Sequence, residues 1–180
     1  REVMGGDFIK AVRATSLILR SKGTVLPSSP EPMKIIAELD DGRIIEGESK
    51  IPQAKGKIKR VYCEPENPEV QEEAVKAILN AELIVFGPGS LYTSIIPNLL
   101  IADIVNAIKK ATAHKVYVCN IMTQPGETTG YTVSDHISAI LEHAKCSNLI
   151  DVVIANDRHP EVLLSKYKEK NQEPIEVDAE

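Results

Sequence analysis

Two kinds of hydrophobic pattern divide this chain. Between Met33 and Cys63 the period is two. Met33, Ile35, Ala37 and Leu39 alternate with mostly polar neighbours, which predicts a half-buried strand. Asp40-Asp41-Gly42 follows as a turn, with Gly42 free to take positive φ. Residues 43–48 return as a partner strand, 51–57 carry no period, and 58–63 form a further strand. This stretch is antiparallel in character and predicts a small β excursion over about 24–64.

Beyond Pro68 the period changes. A helix over about 68–80 precedes the apolar run Leu83-Ile84-Val85-Phe86, which reads as a buried strand. Ile101, Ile104, Val105 and Ile108 then recur at helical spacing, followed by a strand over 115–119. Ile137, Ile140, Leu141 and Ala144 mark the next helix, with Ser134 as its expected N-cap and Asp135 in its first turn. A strand over 149–155 closes the series. Helices alternating with strands in this way call for a parallel sheet with right-handed crossovers. At the N-terminal side, Phe8, Val12, Thr15 and Leu19 predict a helix over about 7–22. A short strand at Val25-Leu26-Pro27 and a proline-rich loop over 28–32 come next. The tail holds one expected helix over about 162–169. The whole chain, 1–180, is read as a single α/β domain.

The strands of the parallel half run into polar loops, and an open α/β sheet binds ligands outside the carboxyl ends of its strands. Gly87-Pro88-Gly89-Ser90-Leu91-Tyr92-Thr93-Ser94 follows the first strand. Gly87 and Gly89 let a ligand approach the backbone, the hydroxyls donate, and a helix opening at Leu91 or Tyr92 would offer free N–H groups to phosphate. A plain glycine turn explains the same residues. Asn120-Ile121-Met122-Thr123-Gln124 and the residues to Thr129 follow the second strand, with uncharged hydrogen bonders suited to a sugar, a base edge or a phosphate; a surface turn at Pro125-Gly126 is the alternative. Asn156-Asp157 ends the third strand, where Asp157 either holds a sugar hydroxyl or caps the next segment. The candidate ligand-binding set is Gly87, Pro88, Gly89, Ser90, Tyr92, Thr93, Asn120, Met122, Thr123, Gln124, Asn156 and Asp157.

Composition narrows the classes. The 180 residues are 43% hydrophobic and 26% charged, with a net charge of −5. That balance, with no Trp and only two Phe, argues against a nucleic-acid partner. No apolar run is long enough for a membrane span, and no signal peptide is visible. Cys63, Cys119 and Cys146 read as buried free thiols in a reducing compartment, with Cys119 as a remote candidate nucleophile. His136 and His143 lie about 10 Å apart along one helix at 1.5 Å per residue, so no metal site is assigned and surface positions are expected for both. Lys50, Lys55, Lys57, Lys59 and Arg60 form a basic cluster, read as a solvated face or as a place to meet phosphate or an acidic partner.

The strings Gly87 to Leu100 and Val116 to Thr128, with Gly47-Glu48-Ser49-Lys50-Ile51-Pro52 and Tyr131-Thr132-Val133-Ser134-Asp135-His136, closely resemble the YvcK-type gluconeogenesis factor family. The resemblance implies a Rossmann-like three-layer fold in a cytoplasmic bacterial protein. It implies binding of UDP-N-acetylglucosamine or another nucleotide with no cofactor required, and support of cell shape and wall-precursor supply during gluconeogenic growth. A protein partner in wall-precursor synthesis and a homo-oligomer are further expectations. The family is related to the phospholactate transferases (CofD), whose Gly-Pro-Ser-Asn-Pro string stands where this chain has Gly87-Pro88-Gly89-Ser90-Leu91. That departure favours the regulatory branch over the alternative, a transferase acting on a phosphoester-linked substrate. The family's glycine-rich first strand, loop and helix are not in this sequence. The chain therefore resembles the family's C-terminal part, and by itself it is expected to bind nucleotide sugar weakly or not at all.

Overall fold

In a computed structural model, residues 7–158 and 164–178 are described. Helix α1 (Phe8–Ile18) opens the chain, with the Asp7 side chain accepting from the Lys10 N–H as its N-cap. It buries none of its residues and is tied to the body by Arg13, whose guanidinium grips Glu73 at 2.6 Å. No strand forms at Val25-Leu26-Pro27.

Strands β1 (Lys34–Leu39), β2 (Ile44–Glu46) and β3 (Ile58–Glu64) make an antiparallel sheet in the order β2-β1-β3. The β1–β2 turn is the one the Asp-Gly pair predicts: Gly42 has φ +85° and its N–H donates to the Leu39 carbonyl. β1 is more buried than its alternation suggests. Ile35, Ile36 and Ala37 are consecutive buried residues, because the central strand is covered on both faces. A short 3-10 turn, Ile51–Gln53, falls in the stretch without a period.

Helix α2 (Glu72–Leu79) starts later than Pro68, after its N-cap Gln71, whose N–H donates to the Ser28 carbonyl. Strand β4 (Leu83–Phe86) follows. Leu91–Ile95 then forms one wide π-helical turn that runs into α3 (Ile96–Leu99). Helix α4 (Ala102–Lys110), strand β5 (His114–Val118), helix α5 (Val133–Ala144) and strand β6 (Val152–Ile154) complete the parallel sheet, in the order β4-β5-β6. Ser134 is not the cap of α5. Thr132 is, closing a capping box in which its hydroxyl accepts from Asp135 N–H while the Asp135 carboxylate accepts from Thr132 N–H. A short α6 (Leu164–Glu169) lies in the tail; Val162, where the tail helix was expected to begin, lies outside the described residues.

Because β4, β5 and β6 succeed one another in space as in sequence, right-handed crossovers put α4 and α5 on the same face of the parallel sheet. One core holds residues of both sheets and the helices: Phe86 and Tyr117 of the parallel sheet, Ile104, Ile108 and Ile140 of α4 and α5, and Ile35 and Val61 of the antiparallel sheet. The opposite face of the parallel sheet is uncovered among the described residues. Leu83 (55%) and Ile154 (54%) stand exposed there with Val85 and Val152. β4 is therefore half-buried and not the fully buried strand its composition predicts. The architecture is α/β, Rossmann-like, with a parallel sheet and an antiparallel excursion. Among the described residues no single helix is long and apolar enough to cross a membrane.

Candidate functional site

The order β4-β5-β6 brings three loops to one rim, at the carboxyl ends of the parallel strands. The first two are fastened together. Asn120 donates from Nδ2 to the Gly89 carbonyl at 2.8 Å and accepts from the Gly89 N–H at 3.2 Å. Gly87 makes this approach possible: its φ is +79°, and a Cβ there would sit 2.9 Å from the Val118 carbonyl oxygen.

A buried carboxylate makes the second fastening. Glu127, 4% exposed, accepts from the Tyr92 N–H at 2.9 Å, from the Thr93 hydroxyl at 2.8 Å and from the Gln124 amide at 3.2 Å. Burial pushes its carboxyl above the usual range, against the opposing pull of those donors. The expected free N–H at the helix start is thus satisfied from within the protein: the Tyr92 amide, which a ligand phosphate would otherwise meet, already holds an anion.

The other sequence-predicted residues divide by what they touch. Tyr92 is buried and its hydroxyl shares a 2.7 Å hydrogen bond with Tyr131. Thr123 is committed to the tail, its hydroxyl accepting from the Glu173 N–H and its own N–H donating to the Glu173 carbonyl at 2.7 Å. Met122 bridges to Pro174 beside it. Asn156, exposed, turns back on the Arg158 carbonyl, and Asp157 is exposed at the end of β6. Pro88 is exposed, and Ser90, half-buried, carries a hydroxyl with no hydrogen-bond partner among the described residues. The structure thus gathers the first two loops closely and adds Asn156 and Asp157 along the same rim.

Two cavities flank this junction. Gly87, Pro88, Gly89 and Ser94 open onto a groove of about 500 Å³ walled by α2 and Leu26. The second loop opens onto a cleft of about 610 Å³ between Pro125–Tyr131 and the Pro52–Lys57 segment. Glu127 and Tyr131 are absent from the ligand-binding set that the sequence predicts; the one signal for Glu127 is a single acid inside an otherwise uncharged loop.

Both histidines depart from the surface positions expected of them. His136 is fully buried and His143 half-buried. Nδ1 of His143 lies 2.7 Å from the Ala139 carbonyl and Nε2 accepts from the Val61 N–H at 3.0 Å, so the ring is neutral. Burial lowers both imidazoles. The three cysteines are free and buried, and burial raises the Cys119 thiol, which opposes a nucleophilic role. No group of three or more His, Cys, Asp or Glu side chains gathers as a metal site among the described residues.

Comparison with known proteins agrees on one lineage. A family model described as 2-phospho-L-lactate transferase CofD matches residues 1–180. The gluconeogenesis factor of Bacillus subtilis is 42% identical over 175 residues, covering 97% of this chain and 55% of the relative. That of Halalkalibacterium halodurans is 44% identical over 173 residues, covering 96% and 54%. A crystal structure of a Bacillus halodurans protein superposes with a TM-score of 0.91 at 44% identity, covering 98% of this chain and 57% of that one; a second structure from that organism, titled a member of the upf0052 family, gives 0.90. The chain spans about half the length of the curated relatives it matches.

Proposed function

The chain belongs to the CofD family, among relatives named gluconeogenesis factors, and from that premise we propose that the protein is a nucleotide-sugar-binding regulator. Its ligand is UDP-N-acetylglucosamine and its role is to support cell shape and wall-precursor supply during gluconeogenic growth in the cytoplasm. The observation that carries the reading is the pairing of Asn120 with Gly89, which holds two βα loops edge to edge where α/β sheets bind nucleotides. Gly87, Pro88, Gly89, Asn120, Tyr92, Thr93 and Gln124 build the rim. Ser90 and Asp157 offer it unclaimed polar groups, Asn156 offers its amide oxygen, and Met122 and Thr123 seat the tail beside it. Calorimetric titration of the whole protein with UDP-N-acetylglucosamine tests this. Saturable binding is the expected result; no heat and no thermal shift overturns it.

A second reading follows from the description of the family model, transfer of a phosphoester-linked group. That chemistry wants a divalent metal held by carboxylates. Asp157 stands at the rim without companions, so the described residues alone do not fit such an ion. Metal-dependent product formation from a phospholactyl donor by the whole protein would favour this reading over the first.

A further inference from the structure

Glu127 decides where a ligand's negative charge can go. With the Tyr92 N–H and Thr93 hydroxyl already donating to the Glu127 carboxylate, a phosphate entering at the start of the 91–99 helix would find those donors taken. The cleft on the other side of Glu127 offers cations. Lys55 and Lys57 line one wall with Gln53, Thr129 and Tyr131 stand opposite, and Asn171 comes in from the tail. The volume, about 610 Å³, is that of a small-molecule site.

The two lysines differ from Lys59 and Arg60 of the basic cluster. Lys59 and Arg60 both bind Glu38 at 2.7 Å, whereas Lys55 and Lys57 have no ion-pair partner among the described residues. Their loop is held rigidly. Arg43 donates from Nη1 to the Ala54 carbonyl at 2.8 Å and from Nη2 to the Lys55 carbonyl at 2.7 Å, and Asp41 steadies Arg43 in turn. Lys55 itself is held at φ +46°. Backbone strain of this kind persists only where surrounding contacts enforce it. The facing wall is fixed as well, because Gly126 lies directly against Pro52. A cleft with locked walls, two uncommitted ammonium groups and neutral amide and hydroxyl groups is matched to a phosphoryl ligand.

Resting on the nucleotide-sugar reading, we propose that the ligand's phosphoryl groups are held in this cleft by Lys55 and Lys57, with Thr129, Gln53 and Asn171 as neutral partners. Glu127 lines the cleft and also bonds Gln124 of the rim loop, so the cleft adjoins the rim. Its own charge is committed to three donors, which limits its repulsion of a neighbouring phosphate.

The test uses the whole protein, wild type and the double variant Lys55→Gln/Lys57→Gln, titrated with UDP-N-acetylglucosamine and with inorganic pyrophosphate at two salt concentrations. Lys50→Gln, outside the cleft, is the control, and thermal melts verify folding. The expected result is an affinity for UDP-N-acetylglucosamine reduced about ten- to hundredfold in the double variant. Pyrophosphate binding should be lost with it, and the salt dependence should flatten. Unchanged affinity and unchanged salt dependence in the double variant overturn the proposal. Lysine-dependent pyrophosphate binding by a protein that ignores UDP-N-acetylglucosamine sinks the nucleotide-sugar reading while supporting the phosphoryl site. A wild-type protein that binds neither probe overturns both.

Discussion

Gly126 and Pro52 are in contact that only a glycine permits: a Cβ at Gly126 would lie 1.9 Å from the Pro52 carbonyl oxygen. The antiparallel excursion and the second rim loop meet at that point. Gly126 also has φ +82°, so Gly126→Ala combines backbone strain with a collision against main chain that cannot swing away. Gly130 is the internal control, at φ +75° with open space around it. In urea unfolding, Gly130→Ala should lose about 1–3 kcal/mol from φ alone, and Gly126→Ala distinctly more. Equal losses would mean the two segments separate freely.

Glu127 carries a pH signature. Burial raises its folded carboxyl above the ordinary value of 4.5. Between those two values the folded state holds more protons than the unfolded one, so this group's contribution to stability is full below about pH 4.5 and falls as pH rises through the folded value. Glu127→Gln keeps the shape and removes the titration. Stability curves against pH should differ between wild type and variant by a contribution of that sign above pH 4.5. Parallel curves would show that the carboxyl titrates normally.

How much of the molecule is legible in its sequence depends on whether a residue's partner lies near it along the chain. Ile101, Ile104, Val105 and Ile108 announce α4 because a helix face is written in local spacing. The Asp41-Gly42 turn and the glycine loops at the strand ends are equally local, and so is the α/β class. The half-open state of β4 is not legible. Leu83 and Val85 have the composition of a buried strand, and only the spatial order β4-β5-β6 reveals that one face is left open. The burial of His136 and the pairing of His143 with Val61 lie in the same category, since Val61 is 82 residues away. Within the candidate site the loops can be read from their residues, but not that Asn120 and Glu127 would spend their hydrogen bonds on the neighbouring loop.

Ser90 and Thr123 look equivalent as hydroxyl donors in the sequence, and the structure separates them. The Thr123 hydroxyl accepts from the Glu173 backbone, anchoring the tail, while that of Ser90 has no hydrogen-bond partner among the described residues. Thr123→Ala should therefore cost about 0.5–1.5 kcal/mol of stability and increase hydrogen exchange at Glu173. Ser90→Ala should leave stability unchanged and weaken nucleotide-sugar binding in the whole protein by roughly two- to tenfold. A melting temperature lowered by Ser90→Ala, or full affinity retained, would remove that hydroxyl from the ligand's reach.

His143 ties α5 to β3 and supplies the clearest acid-side prediction. Its Nε2 must be unprotonated to accept from the Val61 N–H, and burial lowers its pKa from the ordinary value of 6.5. His136, buried on the same helix, is shifted in the same direction. Against burial, the Ala139 carbonyl at 2.7 Å from Nδ1 and then the adjacent Glu142 pull the pKa upward, but less than burial lowers it, and the ring of Tyr92 packs at 5.7 Å. A depressed folded pKa means that the unfolded chain takes up protons first. The stabilisation is complete above pH 6.5 and is lost as pH falls through the folded value. Glu127 acts with the opposite sign in part of this window, so the comparison belongs within one background. Wild-type stability should drop as pH falls below 6.5, with His143 and His136 both contributing to the slope. His143→Gln should start less stable and lose the part of that slope that His143 contributes. An undiminished slope in the variant would mean that the ring is already charged, or already released from Val61, in the native protein.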